Sequence, residues 1–299
     1  MSRAIVAGEP SRHKRMARAL VPPRLRPRLF GTVRSVRHRG NAVYCSCCDG
    51  EFSSFIAHRG IFPGRCPRCG SRERHRLLID FAHARTDLFT EALSVLHVAP
   101  EYGLQRRLRR SSNLIYRSAD LDSALAMDHV DLLDMPYPDG SFDVVICSHV
   151  LEHVADDRIA LSEIRRVLTP EGRAILMSPI DEELAETLED PSVVDPAERD
   201  RVFGQSDHLR RYGRNFASCV ATAGFAVDVV SHIDRFSPGE IARQGLRRDS
   251  TTLFRNDDIF ICRRAESSDG GSVERVPPDY VSIKNDSRRK NGLSERVGS

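Results

Sequence analysis

The sequence predicts an α/β protein with a doubly wound, mostly parallel sheet, preceded by a small zinc-ribbon-like module. Three observations carry this. Phe142 to Cys147 is a short apolar run rich in β-branched residues, set behind a turn cluster at Pro136 to Gly140, which reads as a buried parallel strand. Strand-like and helix-like segments then alternate on both sides of it. Ahead of them stand two Cys-x2-Cys pairs, Cys45/Cys48 and Cys66/Cys69, separated by 17 residues.

The 299 residues exceed one typical domain and fit a main domain with an accessory module. No run approaches the roughly 20 apolar residues that span a bilayer, and the first residues lack the apolar core of an export signal, so a cytoplasmic protein is expected. The net charge of +3 is unevenly spread. Met1 to Gly40 hold eleven basic residues against one acid, while Asp181 to Asp200 hold nine acids against one Arg.

Taken in order, residues 1–41 mix Arg with Pro22, Pro23 and Pro27 without a sustained period and predict a disordered basic arm, either solvated or attached to an anionic surface. Residues 42–75 form the cysteine module. Four thiolates surround Zn2+ tetrahedrally and leave it no open position, so the ion is expected to be structural, with Cys47 a spare thiol. Gly50 and Gly70 suit the two knuckle turns. Arg72, Arg74, His75 and Arg76 follow directly, either as an anion site at the domain junction or as a solvated first turn. Leu77 to Phe89 carries apolar residues at helical spacing.

The main domain is expected over 76–264. Its strands are Leu93 to Ala99, Asn113 to Arg117, His129 to Leu132, Phe142 to Cys147, Arg173 to Met177, Phe225 to Val230 and Ile259 to Arg263. Tyr102 to Arg110 predicts the first crossover helix. Asp156 or Asp157 caps a later helix whose apolar face includes Ile159, Leu161, Ile164, Val167 and Leu168. Residues 181–207 form an acidic insertion too long for an ordinary connection. Residues 265–299 read as a disordered polar tail.

The runs MPYPDGSFDVV, HVLEHV and RVLTPEG resemble, in that order, the landmarks of class I S-adenosylmethionine-dependent methyltransferases of the type 11 branch. The resemblance implies a Rossmann-like methyltransferase fold of seven strands with the last pair antiparallel, and S-adenosylmethionine as cofactor. The run from CPRCGSRERHR through HVAPE to FGQSDHLRRYG is similar to a little-characterised bacterial subgroup. In the family the first strand ends in an acid and a glycine-rich turn. Here His97 stands for the acid, Ala99 and Glu101 replace two glycines, and Gly103 remains.

Carried over by position, the resemblance implies cofactor contacts from Ala99, Pro100, Glu101 and Gly103. It implies a ribose-binding acid at Asp120, which as a lone residue reads equally as a helix cap. It implies an adenine-side acid at Asp131 beside Leu132, with Asp134 competing, and His149 at the cofactor's edge. Three residues are candidates for acceptor chemistry: His208, His149 and Tyr212. His208 and Tyr212 sit in a run that reads either as a lid over the cofactor or as a capped helix start. The expected acceptor is a small or carbohydrate-like molecule. The rivals are RNA, recognised through the basic arm and the zinc module, and a non-catalytic scaffold whose eroded turn no longer holds cofactor.

Overall fold

The computed structural model describes residues 22, 25–58, 62–246, 254–255 and 257–265; all but the first residue of the predicted tail at 265–299 and most of the predicted arm lie outside them. Part of that arm is ordered. Helix α1 (Arg26–Arg37) begins with Pro27 in its first turn, where the missing N–H costs nothing. Gly31 lies against the Arg68 carbonyl and Arg34 Nε donates to Pro67 O at 3.1 Å, so α1 docks on the second cysteine knuckle. Leu25, just before the helix, and Leu29, Val33 and Val36 within it are exposed.

The module consists of two antiparallel hairpins, β1 (Val43–Cys45) with β2 (Gly50–Phe52) and β3 (Ile56–His58) with β4 (Phe62–Arg65). Helix α2 (Glu73–Arg85) leads into the main sheet, somewhat earlier than its apolar spacing predicts. The central strands are β5 (Leu93–Val98), β6 (Leu114–Asp120), β7 (Asp128–His129), β8 (Phe142–Ser148) and β9 (Leu168–Met177). Helices α3 (Tyr102–Leu108) and α4 (Asp157–Val167) are crossovers. Asp156, not Asp157, caps α4, accepting from Arg158 N and Ile159 N at 2.9 and 3.0 Å. Ala160, Leu161, Ile164 and Val167 form its buried face, whereas Ile159 is exposed.

The acidic insertion is structured. It contains β10 (Ile180–Asp181), β11 (Leu188–Glu189) and α5 (Pro196–Phe203), which is capped by Asp195 and ends at Gly204; β12 (Arg210–Arg211) then pairs with β11. After it come α6 (Phe216–Thr222), β13 (Phe225–Ser231), a 3-10 turn, α7 (Pro238–Gln244), β14 (Phe254–Arg255) and β15 (Asp258–Arg264).

Seven strands make one sheet in the order β13-β15-β9-β8-β5-β6-β7, with β15 antiparallel to both neighbours and the rest parallel. This is the Rossmann-like α/β arrangement expected. The predicted third strand shrinks to two residues, because Asp131 turns the chain by accepting from Leu133 N.

Side chains alternate between two cores. Val145 and Cys147 of β8 face one side with α4 and α6, while Val144 and Ile146 face the other. That second core includes α2, α3 and the module's Phe52, Phe55, Cys45, Cys66 and Cys69. The module is therefore part of the sheet's packing and not a separate bead. Among the described residues, no helix is long and apolar enough to cross a membrane.

Candidate active site

Strand order reverses between β5 and β8, and in open α/β sheets ligands bind at the carboxyl ends of such a pair. Both strands end in a non-glycine residue in the left-handed region: Ala99 at φ 50° and His149 at φ 56°. Each is held there by a backbone bond of 2.8 Å, Ala99 N to Ala119 O and His149 N to Met177 O. Strained backbone of this kind, fixed on two adjacent strands, is typical of functional turns.

Glu101, two residues past Ala99, is held from both sides. His75 Nε2 lies 2.7 Å from Oε1, and His97 Nε2 lies 3.3 Å from Oε2. His75 Nδ1 accepts from Arg72 N at 3.2 Å, so the proton of a neutral imidazole sits on Nε2, the nitrogen that faces Glu101. His97 reaches the Tyr116 hydroxyl at 2.9 Å with its other nitrogen. Burial opposes charge on Glu101, but the charge and hydrogen bond of His75, then those of His97, hold it well below the usual carboxylate range. Burial lowers the His75 pKa, against the opposing pull of the Glu101 charge.

Ser148 Oγ, His149 Nε2 and Arg74 Nε are buried here without a hydrogen-bond partner. Burial, then the nearby Arg74 charge, pushes His149 down to about 4, so it is neutral near pH 7. Unpaired donors and acceptors at a strand-end crevice fit a ligand with both kinds of polar group, as the methionine part of S-adenosylmethionine has. An apolar ligand would leave them unsatisfied.

The other expected contacts lie along the same edge. Asp120 ends β6, next to β5 in the sheet, and its Oδ1 accepts from Asp122 N and Ser123 N at 2.8 and 2.7 Å, so a local turn orients the carboxylate. Asp131 is exposed just after β7, Leu132 beside it is buried, and Asp134 is exposed.

Gly103 differs from expectation. A Cβ there would sit 3.0 Å from Cys69 Sγ and 3.2 Å from Ser71 Cβ, so this glycine lets α3 approach the second cysteine knuckle. The remaining member of the glycine-rich turn serves the module contact.

The insertion folds back over the turn after β8. Leu209 N donates to Glu152 O, and the buried Arg210 guanidinium donates to the carbonyls of Leu151, Val154 and Ala155. His208 is buried, with Nδ1 3.2 Å from Phe203 O, and its ring packs edge-on against His153 at 4.7 Å. Burial lowers its pKa. Asp207 accepts from Gln205 Nε2 and caps no helix. Tyr212 is 1% exposed; its hydroxyl donates to Asp157 at 2.7 Å and its ring packs on Phe216. This bond spends the hydroxyl proton of Tyr212 and ties β12 and its neighbours to the start of α4.

Cys45, Cys48, Cys66 and Cys69 converge with all four sulfurs within 4.8 Å of one another. Cys45 to Cys69 and Cys48 to Cys66 are each 3.7 Å, close to the about 3.8 Å that tetrahedral bonds of about 2.3 Å require. Asp49, at φ 50°, takes the left-handed place in the first knuckle, and Gly70, at φ 72°, in the second. Gly50 instead starts β2, where an added Cβ would strike the Phe52 ring. Burial pushes the Cys47 thiol up, so it stays protonated.

Sequence reasoning missed the partners of Glu101 and the buried role of Arg210. The run Arg72 to Arg76 held the signal: His75 turns inward to Glu101, and Arg76, fully buried, donates to Ser71 O, Gln244 O and Gly245 O.

Residues 79–176 match the Methyltransf_11 family model, a methyltransferase domain. Over 98 residues the chain is 33% identical to ajmaline N-methyltransferase of Rauvolfia serpentina, covering 30% of this chain and 33% of that one. Over 173 residues it is 32% identical to an uncharacterized 37.1 kDa protein in transposon TN4556 of Streptomyces fradiae, covering 55% and 48%. The chain thus spans between a third and a half of these relatives' lengths. The solved structure of YcgJ from Bacillus subtilis aligns at 15% identity over 63% of this chain and 97% of that one, with a TM-score of 0.42. Residues 79–176 are thus identified as a class I S-adenosylmethionine-dependent methyltransferase domain of the Methyltransf_11 type, preceded by an N-terminal cysteine cluster able to bind a metal.

Proposed function

We propose that the chain is a methyltransferase that moves the methyl group of S-adenosylmethionine to a small-molecule or carbohydrate-like acceptor, with Zn2+ as a structural ion in the cysteine cluster. The observation that carries this is the crevice at Ala99 to Glu101 and Ser148 to His149, with one ionised carboxylate and several buried polar atoms without a hydrogen-bond partner, Ser148 Oγ, His149 Nε2 and Arg74 Nε among them.

In this reading Glu101 meets the cationic amino group of the cofactor, and Arg74 and Ser148 donate to its carboxylate. Asp120 accepts from the ribose hydroxyls, and Asp131 with Leu132 borders the adenine. When bound, the cofactor supplies a methyl group already activated on a sulfonium. The chain's own task is then alignment, exclusion of water and removal of the acceptor proton. His149 and His208 are the candidates for the last task. Both are neutral near pH 7, and the Nδ1–H of His208 is spent on Phe203 O, which leaves Nε2 as a base.

The test supplies S-adenosylmethionine with a labelled methyl group, together with sugars and polyols. Label should appear in a small acceptor, and His208→Gln should lower kcat by about 10²-fold or more if His208 is the base. Transfer to RNA alone would contradict the acceptor class. RNA draws some support from the cavity lined by Arg28, Arg39, Arg68 and Arg106 between α1, the module and α3. Salt-sensitive RNA binding, lost when these arginines are replaced, would favour it.

A further inference from the structure

The turn after β8 and the lid bring together a second cluster with the chemistry of a metal site. Glu152, His153 and His208 each present one ligand atom, all within 4.8 Å of one another. The hydrogen bonds behind the two imidazoles show which nitrogens keep a lone pair for an ion. His208 Nδ1 lies 3.2 Å from Phe203 O, and His153 Nδ1 lies 3.2 Å from Asp207 O. A carbonyl only accepts, so both Nδ1 atoms carry the proton and both Nε2 atoms keep a lone pair. Metal-binding histidines are oriented in this way, with the second ring nitrogen donating to a carbonyl or carboxylate.

Glu152 supplies a second, independent observation. It is 1% exposed, yet the contacts of its carboxylate are long: Ser178 Oγ at 3.3 Å and His149 Nδ1 at 3.4 Å. Charge-assisted hydrogen bonds to a carboxylate run at about 2.7 to 2.9 Å. A carboxylate so deeply buried calls for a cation, and these contacts answer it weakly.

We propose that Glu152, His153 and His208 form a divalent transition-metal site, distinct from the cysteine cluster, that fastens the lid to the turn after β8. Two imidazoles and one carboxylate suit Zn2+, Co2+ or Ni2+ and disfavour Mg2+ and Ca2+, which prefer oxygen ligands. His153 is partly exposed, so the cluster is reachable from solvent on that side, while Glu152 and His208 are buried. Three protein ligands leave a coordination position for water or a ligand oxygen. A bound ion occupies the Nε2 lone pair of His208, so metal binding and base catalysis by His208 exclude one another in a single molecule. The site itself does not rest on the methyl-transfer reading.

The test titrates Co2+ into the full-length chain with its cysteine cluster already loaded with zinc, followed by absorption spectroscopy. One further equivalent should bind, giving weak visible bands and no thiolate-to-cobalt charge transfer. Mg2+ in excess should not compete. The H153A/H208A double variant should lose at least roughly tenfold in affinity while keeping one zinc per chain. Glu152→Gln keeps the side-chain shape and should show the same loss, which decides the matter should the double variant misfold. The proposal is overturned if the wild type takes up no second equivalent at millimolar Co2+. It is equally overturned if the only new absorption is thiolate charge transfer, or if both variants bind as tightly as the wild type.

Discussion

Glu101 occupies a position where a glycine-rich turn ordinarily presents bare backbone, and its surroundings account for the exchange. The carboxylate is braced by His75 and His97 and stays ionised despite burial. A carboxyl held below its unfolded value contributes stability that is complete above the ordinary pKa of 4.5 and is lost as pH falls through the lower folded value. Denaturant melts should therefore show wild-type stability falling below about pH 4.5, and Glu101→Gln should flatten that acid limb. Ala99 makes a simpler prediction. Its left-handed backbone costs an alanine about 1 kcal/mol relative to glycine, so Ala99→Gly should raise stability by about that amount in the same melts. The positions of Ala99, Glu101 and His149 were legible in the sequence because they follow strand ends. The contact of Gly103 with Cys69 was not, because no local pattern shows that residues 34 positions apart will touch.

At the scale of elements, the module and α3 are fitted to each other. Gly103→Ala is expected to push against Cys69 Sγ and Ser71, where there is no flexible side-chain end to yield, at a cost of roughly 1 to 3 kcal/mol. The same substitution should weaken metal retention, measured as zinc release to a colorimetric chelator. Retention equal to wild type would argue against the contact. Strands and helices of the main domain were readable because β-branched runs and Asp or Pro boundaries coincide with them. Helix α1 was read as a disordered arm because three prolines surround it, although Pro27 lies where a helix accepts proline. The insertion carried the same kind of hidden signal, since Asp195-Pro196 caps and opens α5. Arg210 was invisible as an anchor: a buried guanidinium that satisfies three carbonyls has no sequence signature.

For the whole molecule, the two cores on opposite faces of one sheet make the metal module an integral part of the domain, since its cysteines and phenylalanines share a core with β5, β8 and β15. Removing the metal should therefore do more than loosen residues 42–75. A chelator is expected to lower the melting temperature of the whole cooperative unit and to weaken cofactor binding, because His75, which holds Glu101, begins only six residues after Cys69. An unchanged main transition after metal removal would show that the two parts are energetically separate. The central claim, that a carboxylate in place of a glycine turn holds the cofactor, is tested most directly by calorimetric titration of S-adenosylmethionine into the metal-loaded full-length chain. One site per chain is predicted, with affinity falling by roughly tenfold or more in Glu101→Gln. Absence of binding to both S-adenosylmethionine and its demethylated product, in protein freed of carried-over ligand, would contradict it.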